Sequence, residues 1–560
     1  MSPPSASDGA LRDRARAWRD EDPDPATRAE VEALLESGDL GGLRERFDHR
    51  LQFGTAGLRG ARGAGPNRMN RALVRRATAG VAAWLHQQAL VGPVVVGRDA
   101  RHGSAEFAAD TAAVLAGAGF PVRVLPRPLP TPVTAFATLH EGAIAGIMIT
   151  ASHNPSQDNG YKLYLGDGGQ IVAPVDGEIS ACIDAVGPVD GIAMATDGIV
   201  VLDDDVLDAY VAGARRLLVA RGPRDLVIVY TAMHGVGAET VRRAFAATGF
   251  ASPHEVAAQI EPDPDFPTVA FPNPEEPGAL DLSLALAAEV GADLVLANDP
   301  DADRLAVAVP DPSADGAWRA LTGDELGTLL ADHLVRRGGR TANDLLATTV
   351  VSSRLLSKVA AAAGVAYGEA LTGFKWVVRT PREGQHFLFG YEEALGYCVG
   401  DLVRDKDGIT AALVTAELAA DLKAEGRTLL DRLEEVFRTH GAHVTRQRSI
   451  RLSGSGWLAQ VTAAMASVRA APPTEIAGRA VTDVEDLATG GRLPPSDVLI
   501  WTLDGARLVV RPSGTEPKLK IYAEAVVPVT DDVGSARAAA RAVVDEVLAA
   551  AGDLLAVHGV

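Results

Sequence analysis

Two kinds of hydrophobic pattern alternate along this chain. Short continuous apolar runs at 143–150, 226–231, 294–297 and 305–309 have strand length and predict strands covered by other layers, the first of them a central parallel strand buried on both faces. Other, longer stretches have helical character. Pro25 to Glu36 is acidic with a helical period, and Thr322 followed by Gly323-Asp-Glu resembles a capped helix start. An Ala-rich helix is expected after Asp532. The Pro-rich stretch Pro262 to Pro277 breaks both periods and predicts a loop. Strands and helices alternating in this way indicate α/β layers.

The chain has 560 residues, more than one hydrophobic core usually supports, so several domains are expected. The motifs described below and the punctuation between them place an amino-terminal helical extension at 1–48 and domains at 49–218, 219–312, 313–440 and 441–560. No apolar run reaches membrane-spanning length, and Met1 to Asp20 is charged without an apolar core of a leader, so neither a membrane nor a secretory route is expected. Cys182 and Cys398 lie far apart without metal-ligand spacing, which fits a reducing cytoplasm. A formal charge of −20 argues against nucleic acid as a partner, although a basic pocket can sit inside an acidic shell.

Candidate chemistry clusters at the ends of the predicted strands. Thr150-Ala-Ser-His-Asn-Pro155 follows the first run and offers Ser152 as a phosphoryl carrier beside the imidazole of His153. Asn298-Asp-Pro-Asp-Ala-Asp-Arg304 follows the run 294–297. Its Asp299, Asp301 and Asp303 recur at every second residue, so an extended backbone would put the carboxylates on one side, where they need a cation. Oxygen-only ligands favour Mg²⁺ or another hard ion over zinc. An EF-hand is excluded, because Arg304 and Pro310 stand where that loop needs Gly and Glu. Arg511-Pro-Ser-Gly-Thr-Glu-Pro-Lys518 gathers a guanidinium, two hydroxyls, a glycine and an ammonium, the inventory of a phosphate cradle, without the spacing of a Walker or dinucleotide loop. Only seven of the 53 basic residues are Lys, and five of them (Lys162, Lys375, Lys406, Lys518, Lys520) fall in or beside segments of this kind.

Together these segments resemble the α-D-phosphohexomutase superfamily along essentially the whole chain. Gly54-Thr-Ala-Gly-Leu-Arg-Gly60 is similar to its amino-terminal active-site segment, Thr150 to Pro155 to its phosphoserine loop, and Asp299 to Arg304 to its metal loop. Gly390-Tyr-Glu-Glu-Ala-Leu-Gly396 resembles its sugar-specificity loop and Arg511 to Pro517 its phosphate-binding loop. The resemblance implies three similar α/β domains with mixed sheets, a carboxyl-terminal α+β domain, and an active site in a central cleft. It also implies a phospho-sugar mutase working through a phosphoserine and a bisphosphorylated sugar, with a sugar bisphosphate as activator and one Mg²⁺ per site. On that reading Ser152 carries the phosphate and, with Asp299, Asp301 and Asp303, ligates the metal. Lys162, in Asp158-Asn-Gly-Tyr-Lys162, is the candidate general acid/base, Arg59 supports it electrostatically, and His153 orients the phosphoserine. Arg304 adds a fixed positive charge toward substrate. Arg511, Ser513, Gly514, Thr515 and Lys518 form the second phosphate cradle.

The sugar loop departs from the family pattern. Glu392 keeps the carboxylate, but Ala394 stands where a serine is usual, which removes one polar contact from the sugar. The Glu-Glu-Ala form resembles the branch with phosphoglucomutase-2 and phosphopentomutase-like enzymes, as does the segment Thr372-Gly373-Phe-Lys375. Lys406, in Arg404-Asp-Lys-Asp-Gly408, joins them as a phosphate or sugar contact. The expected substrates are therefore glucose or mannose 1- and 6-phosphates, with ribose or deoxyribose 1- and 5-phosphates as the alternative, for a monomer or homodimer. A sugar bisphosphate synthase, a phosphohydrolase and a non-catalytic phosphosugar-binding protein are the competing readings. The last would not need Ser152 and three metal aspartates intact.

Overall fold

The computed structural model describes residues 7–314, 317–452, 457–513 and 518–557. The chain divides into two compact units, one of residues 1–321 with 395–421, the other of residues 322–394 with 422–560. Segment 395–421, within the span expected for a third domain, is thus packed with the first unit.

The first unit opens with three helices, Asp8–Glu21, Pro25–Ser37 and Leu40–Phe47. Each starts at a residue whose side chain accepts a backbone N–H (Ser7, Asp24, Asp39), and they close around Leu11, Ala15, Val31, Leu43 and Phe47. Ala64 joins that cluster, and its N–H donates to Glu30 Oε2 at 2.9 Å, which ties the extension to the layer that follows.

That layer is a mixed sheet in the order Leu58–Ala61, Asp158–Leu165, Ala145–Ile149, Val94–Arg98, Val122–Val124, Ile199–Val201. Ala145–Ile149 is central and fully buried as expected, parallel to Val94–Arg98 but antiparallel to Asp158–Leu165. Alternation sorts its side chains by face. Val94, Val96, Ile147 and Ile149 join a core with the helices Arg71–Gln87, Ser104–Gly117 and Val175–Ala185. On the other face the helix Thr131–His140 comes so close that a Cβ on Gly97 or Gly146 would meet Thr134 or Thr138 Oγ1 at 2.1 or 2.0 Å. A second mixed sheet runs Trp318–Ala320, Ala306–Pro310, Leu294–Ala297, Ile228–Thr231, His254–Glu255. The Pro262 to Pro277 stretch crosses without strand or helix, as its composition predicts.

In the second unit the strands Ala366–Ala370, Asp344–Thr349 and His386–Glu392 pair in parallel. The helix Gly323–Arg336 begins with the expected capping box between Thr322 and Glu325. The carboxyl-terminal part is an antiparallel sheet ordered Ala442–Arg451, Lys518–Val527, Ala506–Pro512, Leu499–Leu503, Arg479–Asp486, Glu475–Ile476. The helices Trp457–Ala470 and Val533–Val557 pack on it, giving the α+β layer expected of this end of the chain.

Candidate active site

The serine loop begins where the central strand ends. Thr150 Oγ1 accepts the N–H of Ser152 at 2.9 Å and turns the chain out of the sheet. Ser152 sits in the left-handed region with φ of 54°, which a non-glycine residue adopts only when its surroundings hold it there. Its side chain is buried, with Oγ 3.2 Å from His153 Nδ1 and donating to Asp299 Oδ2 at 2.9 Å. Burial, with Arg304 and Arg59 nearby, pushes the imidazole of His153 well below its ordinary pKa, so it stands neutral beside the hydroxyl. Arg59, on the neighbouring strand Leu58–Ala61, donates to Asn154 Oδ1 at 3.1 Å.

The aspartate loop converges on the same point, but not through extended backbone. Ala302 N–H donates to Asp299 O at 2.8 Å and Ala302 has φ of 55°, so a tight turn brings the carboxylates together where a two-residue period was expected to do so. All three aspartates are buried, with ligand oxygens within 4.8 Å of one another. Asp301 Oδ2 accepts Thr131 Oγ1 and Lys162 Nζ, each at 2.7 Å, while Asp301 Oδ1 is buried without a hydrogen-bond partner among the described residues. Asp303 repeats the arrangement: Oδ2 meets Lys162 at 2.9 Å and Lys406 at 3.2 Å, and Oδ1, with Arg304 Nε 3.9 Å away, has no hydrogen-bond partner among the described residues. Asp299 takes the N–H of Arg304 on its Oδ1 at 3.0 Å. Burial and the like charges of Asp301 and Asp303 push the Asp299 carboxyl well above its ordinary pKa. Burial acts on Asp303 the same way, but Lys162, Lys406 and Arg304 outweigh it and hold that carboxyl ionised. Among the described residues the group holds three buried carboxylates, two of them with an oxygen that takes no hydrogen bond, and this all-oxygen set fits a hard divalent cation.

Lys162 lies on the strand Asp158–Leu165 with its ammonium between Asp301 and Asp303. Burial pulls its pKa down, the two carboxylates more than reverse this, and the net shift is upward. Lys406 stands at the same loop, 3.6 Å from Asp405, whose carboxylate also accepts Tyr164 Oη at 2.8 Å and Gln170 Nε2 at 2.6 Å. Lys406, expected to meet phosphate or sugar, lies 3.2 Å from Asp303 and so stands beside the aspartate loop. Thr131 escaped sequence reasoning, since a threonine at a helix start reads as a cap; the register that joins 131 to 301 is visible only in the fold.

In the second unit two expected substrate loops meet. Gly373 N–H donates to Glu392 Oε1 at 2.7 Å, with Gly373 at φ of 110°. Thr372, Lys375 and Ala394 flank that bond, all half-buried. Arg511 lies near the end of the strand Ala506–Pro512, Ser513 follows it, and Ser513 N–H donates to Lys518 O at 2.8 Å. Gly514 and Thr515 lie outside the described residues.

Four domain models described as phosphoglucomutase/phosphomannomutase match in sequence: the α/β/α domains I, II and III at residues 50–189, 208–313 and 322–440, and the carboxyl-terminal domain at 465–531. The chain belongs to the phosphoglucomutase/phosphomannomutase family. A protein of Haemophilus influenzae named probable phosphomannomutase is 46% identical over 465 residues, covering 82% of this chain and 93% of that one. A phosphopentomutase of Mus musculus is 35% identical, covering 93% of this chain and 91% of its own. Among solved structures, a phosphoglucomutase/phosphomannomutase family protein from Burkholderia thailandensis shares the fold with a TM-score of 0.69 at 21% identity, over 90% of this chain and 97% of that one. This member of the family is a phosphosugar mutase, an isomerase, with the four-domain α/β architecture that the motif order implied. Among the described residues no helix is long and apolar enough to cross a membrane.

Proposed function

We propose that this mutase moves a phosphoryl group between the 1- and 6-positions of glucose or mannose by way of phosphorylated Ser152. The observation that carries the reading is the contact of 2.9 Å between Ser152 Oγ and Asp299 in an acidic, oxygen-only loop. Phosphate on Ser152 would lie against Asp299, Asp301 and Asp303, which would hold one Mg²⁺. That ion supplies charge neutralisation for the transferring group. A free sugar hydroxyl forms the new P–O bond as the bond from phosphorus to Ser152 Oγ breaks. Lys162, an ammonium in the resting site, gives its proton to the departing serine oxygen and takes one from the attacking hydroxyl. Arg59 and Arg304 add positive charge around the group in flight, and neutral His153 orients the phosphoserine.

The bisphosphate formed must return its other phosphate to Ser152, so a bisphosphate is also the primer that loads the enzyme. Glu392, Gly373, Thr372 and Lys375 are assigned to the sugar, and Arg511, Ser513, Gly514, Thr515 and Lys518 to the distal phosphate. We place the enzyme in the cytoplasm, in keeping with its two buried free cysteines. A pentose phosphate mutase is the second reading, favoured by Ala394 in the sugar loop, where one polar contact is missing. Isomerisation of glucose 1-phosphate, mannose 1-phosphate and ribose 1-phosphate, with Mg²⁺ and a bisphosphate primer, decides between them. Faster turnover of the hexoses upholds the first reading, and faster turnover of ribose 1-phosphate replaces it with the second. Release of free phosphate without isomer points to a hydrolase and overturns both.

A further inference from the structure

Behind the serine loop lies a buried guanidinium that the transfer chemistry does not use. Arg101 Nη2 donates to the carbonyls of Ser152 at 2.7 Å and Asn154 at 2.5 Å, and Nη1 to those of Pro155 at 2.8 Å and Asp158 at 3.2 Å. One planar fork therefore gathers four carbonyls from seven consecutive residues of the loop. Its own position is fixed from two sides. Asp99 accepts the N–H of Arg101 at 2.9 Å and Ser104 Oγ at 2.6 Å on Oδ1, while its Oδ2 faces Arg101 Nε at 3.4 Å; both side chains are 1% exposed. From the second sheet's loop, the ring of Phe266 covers the guanidinium with its centroid 4.8 Å away. Phe266 is itself held in a left-handed turn at φ of 50°, its N–H on Asp263 O at 3.2 Å.

We infer that Arg101 is a positioning residue for phosphoryl transfer, and that it does this by holding the loop carbonyls that keep Ser152 in its left-handed turn and Ser152 Oγ against the aspartate loop. The inference rests on Ser152 being the phosphoryl carrier. Within the loop the N–H of Asp158 also reaches Pro155 O at 3.1 Å, but the guanidinium is the group that ties all four carbonyls together, and a strained φ relaxes when its restraints go. Lysine in place of Arg101 would keep the charge beside Asp99 but offers a single nitrogen where the loop needs a fork. Misplacement of a reacting atom by an ångström lowers the rate steeply while leaving substrate contacts elsewhere intact.

The test compares Arg101→Lys, Phe266→Leu and Ser152→Ala with the full-length wild-type enzyme, in steady-state mutase assays at saturating Mg²⁺ and primer. Arg101→Lys, with its folded fraction measured by urea unfolding and kcat taken per folded enzyme, is expected to lower kcat by about 100-fold with KM within about threefold, the split that misplacement of the reacting oxygen produces while substrate contacts stay. Phe266→Leu, which keeps every hydrogen bond of Arg101, is expected to lower kcat by about fivefold. Wild-type kcat in Arg101→Lys overturns the inference. Should that variant not fold, wild-type kcat in Phe266→Leu overturns it instead. If Ser152→Ala keeps mutase activity, the phosphoserine reading falls and this inference with it; if Ser152→Ala is inactive while Arg101→Lys is not impaired, only the inference falls.

Discussion

Thr131→Val isolates the support of the aspartate loop without touching a proposed ligand. The hydroxyl of Thr131 donates to Asp301 Oδ2 at 2.7 Å, and its N–H donates to Asp301 O at 2.9 Å. Valine keeps the volume and the backbone bond but removes the hydroxyl. Among the described residues Asp301 Oδ2 then retains the hydrogen bond from Lys162 at 2.7 Å. A hydrogen bond to a charged group contributes about 1.5–3 kcal/mol, and loss of an orienting partner behind a metal ligand typically weakens metal affinity by about 10- to 100-fold. Because Lys162 still holds the same oxygen, the lower end is expected, a rise of about tenfold in the Mg²⁺ concentration for half-maximal mutase activity. The assay is a Mg²⁺ titration at saturating sugar phosphate, with Thr131→Ser as the variant that keeps the hydroxyl and tracks wild type. A half-maximal Mg²⁺ concentration unchanged in Thr131→Val would refute the reasoning, since Oδ1 of Asp301 would then not depend on how Oδ2 is held.

Lys162→Met is expected to lower kcat by about 10²- to 10⁴-fold, the usual contribution of a positioned acid/base, measured in the same assay; a loss below about tenfold removes Lys162 from proton transfer. Gly57→Ala strikes the turn that delivers Arg59: Gly57 has φ of 75° and a Cβ there would meet Tyr161 O at 1.8 Å. A destabilisation of about 3 kcal/mol or more is expected in urea unfolding, and a midpoint equal to wild type would contradict the packing described. In the second unit, burial would raise the Glu524 carboxyl, but His443, Arg507 and Arg354 hold it far below its ordinary range. A depressed folded-state pKa gives stability that is complete above the unfolded value of about 4.3 and fades as pH falls through the folded one. Glu524→Gln should therefore cost about 3 kcal/mol at neutral pH and flatten the acid loss of stability below about pH 5, and equal acid slopes would show that Glu524 does not drive it.

Strand runs with buried neighbours declared themselves by composition alone, so the positions of Ser152 and of the aspartates at strand ends were legible before any fold was known. The capping box at Thr322, with Glu325, and the helix from Val533 to Val557 were legible for the same reason, since their signals are local. What the residues did not reveal is long-range. The aspartates meet through a turn at Ala302, which a period of two cannot anticipate. That Lys406 pairs with Asp303, about a hundred residues away, follows from segment 395–421 packing with the first unit, which no local pattern announces. Thr131 and Arg101 act through carboxylates and carbonyls far from them in sequence, and neither belongs to a motif that carries its role.

The central claim is that Ser152 carries the phosphoryl group, and the most direct measurement is a single-turnover transfer. Enzyme is loaded with a sugar bisphosphate labelled in its phosphates, freed of excess label, digested to locate the label, and separately chased with unlabelled sugar monophosphate. The account predicts label on the peptide containing Ser152 and its movement to sugar during the chase, with none retained in Ser152→Ala. Label on another residue, or its appearance as free phosphate in place of sugar phosphate, would contradict it.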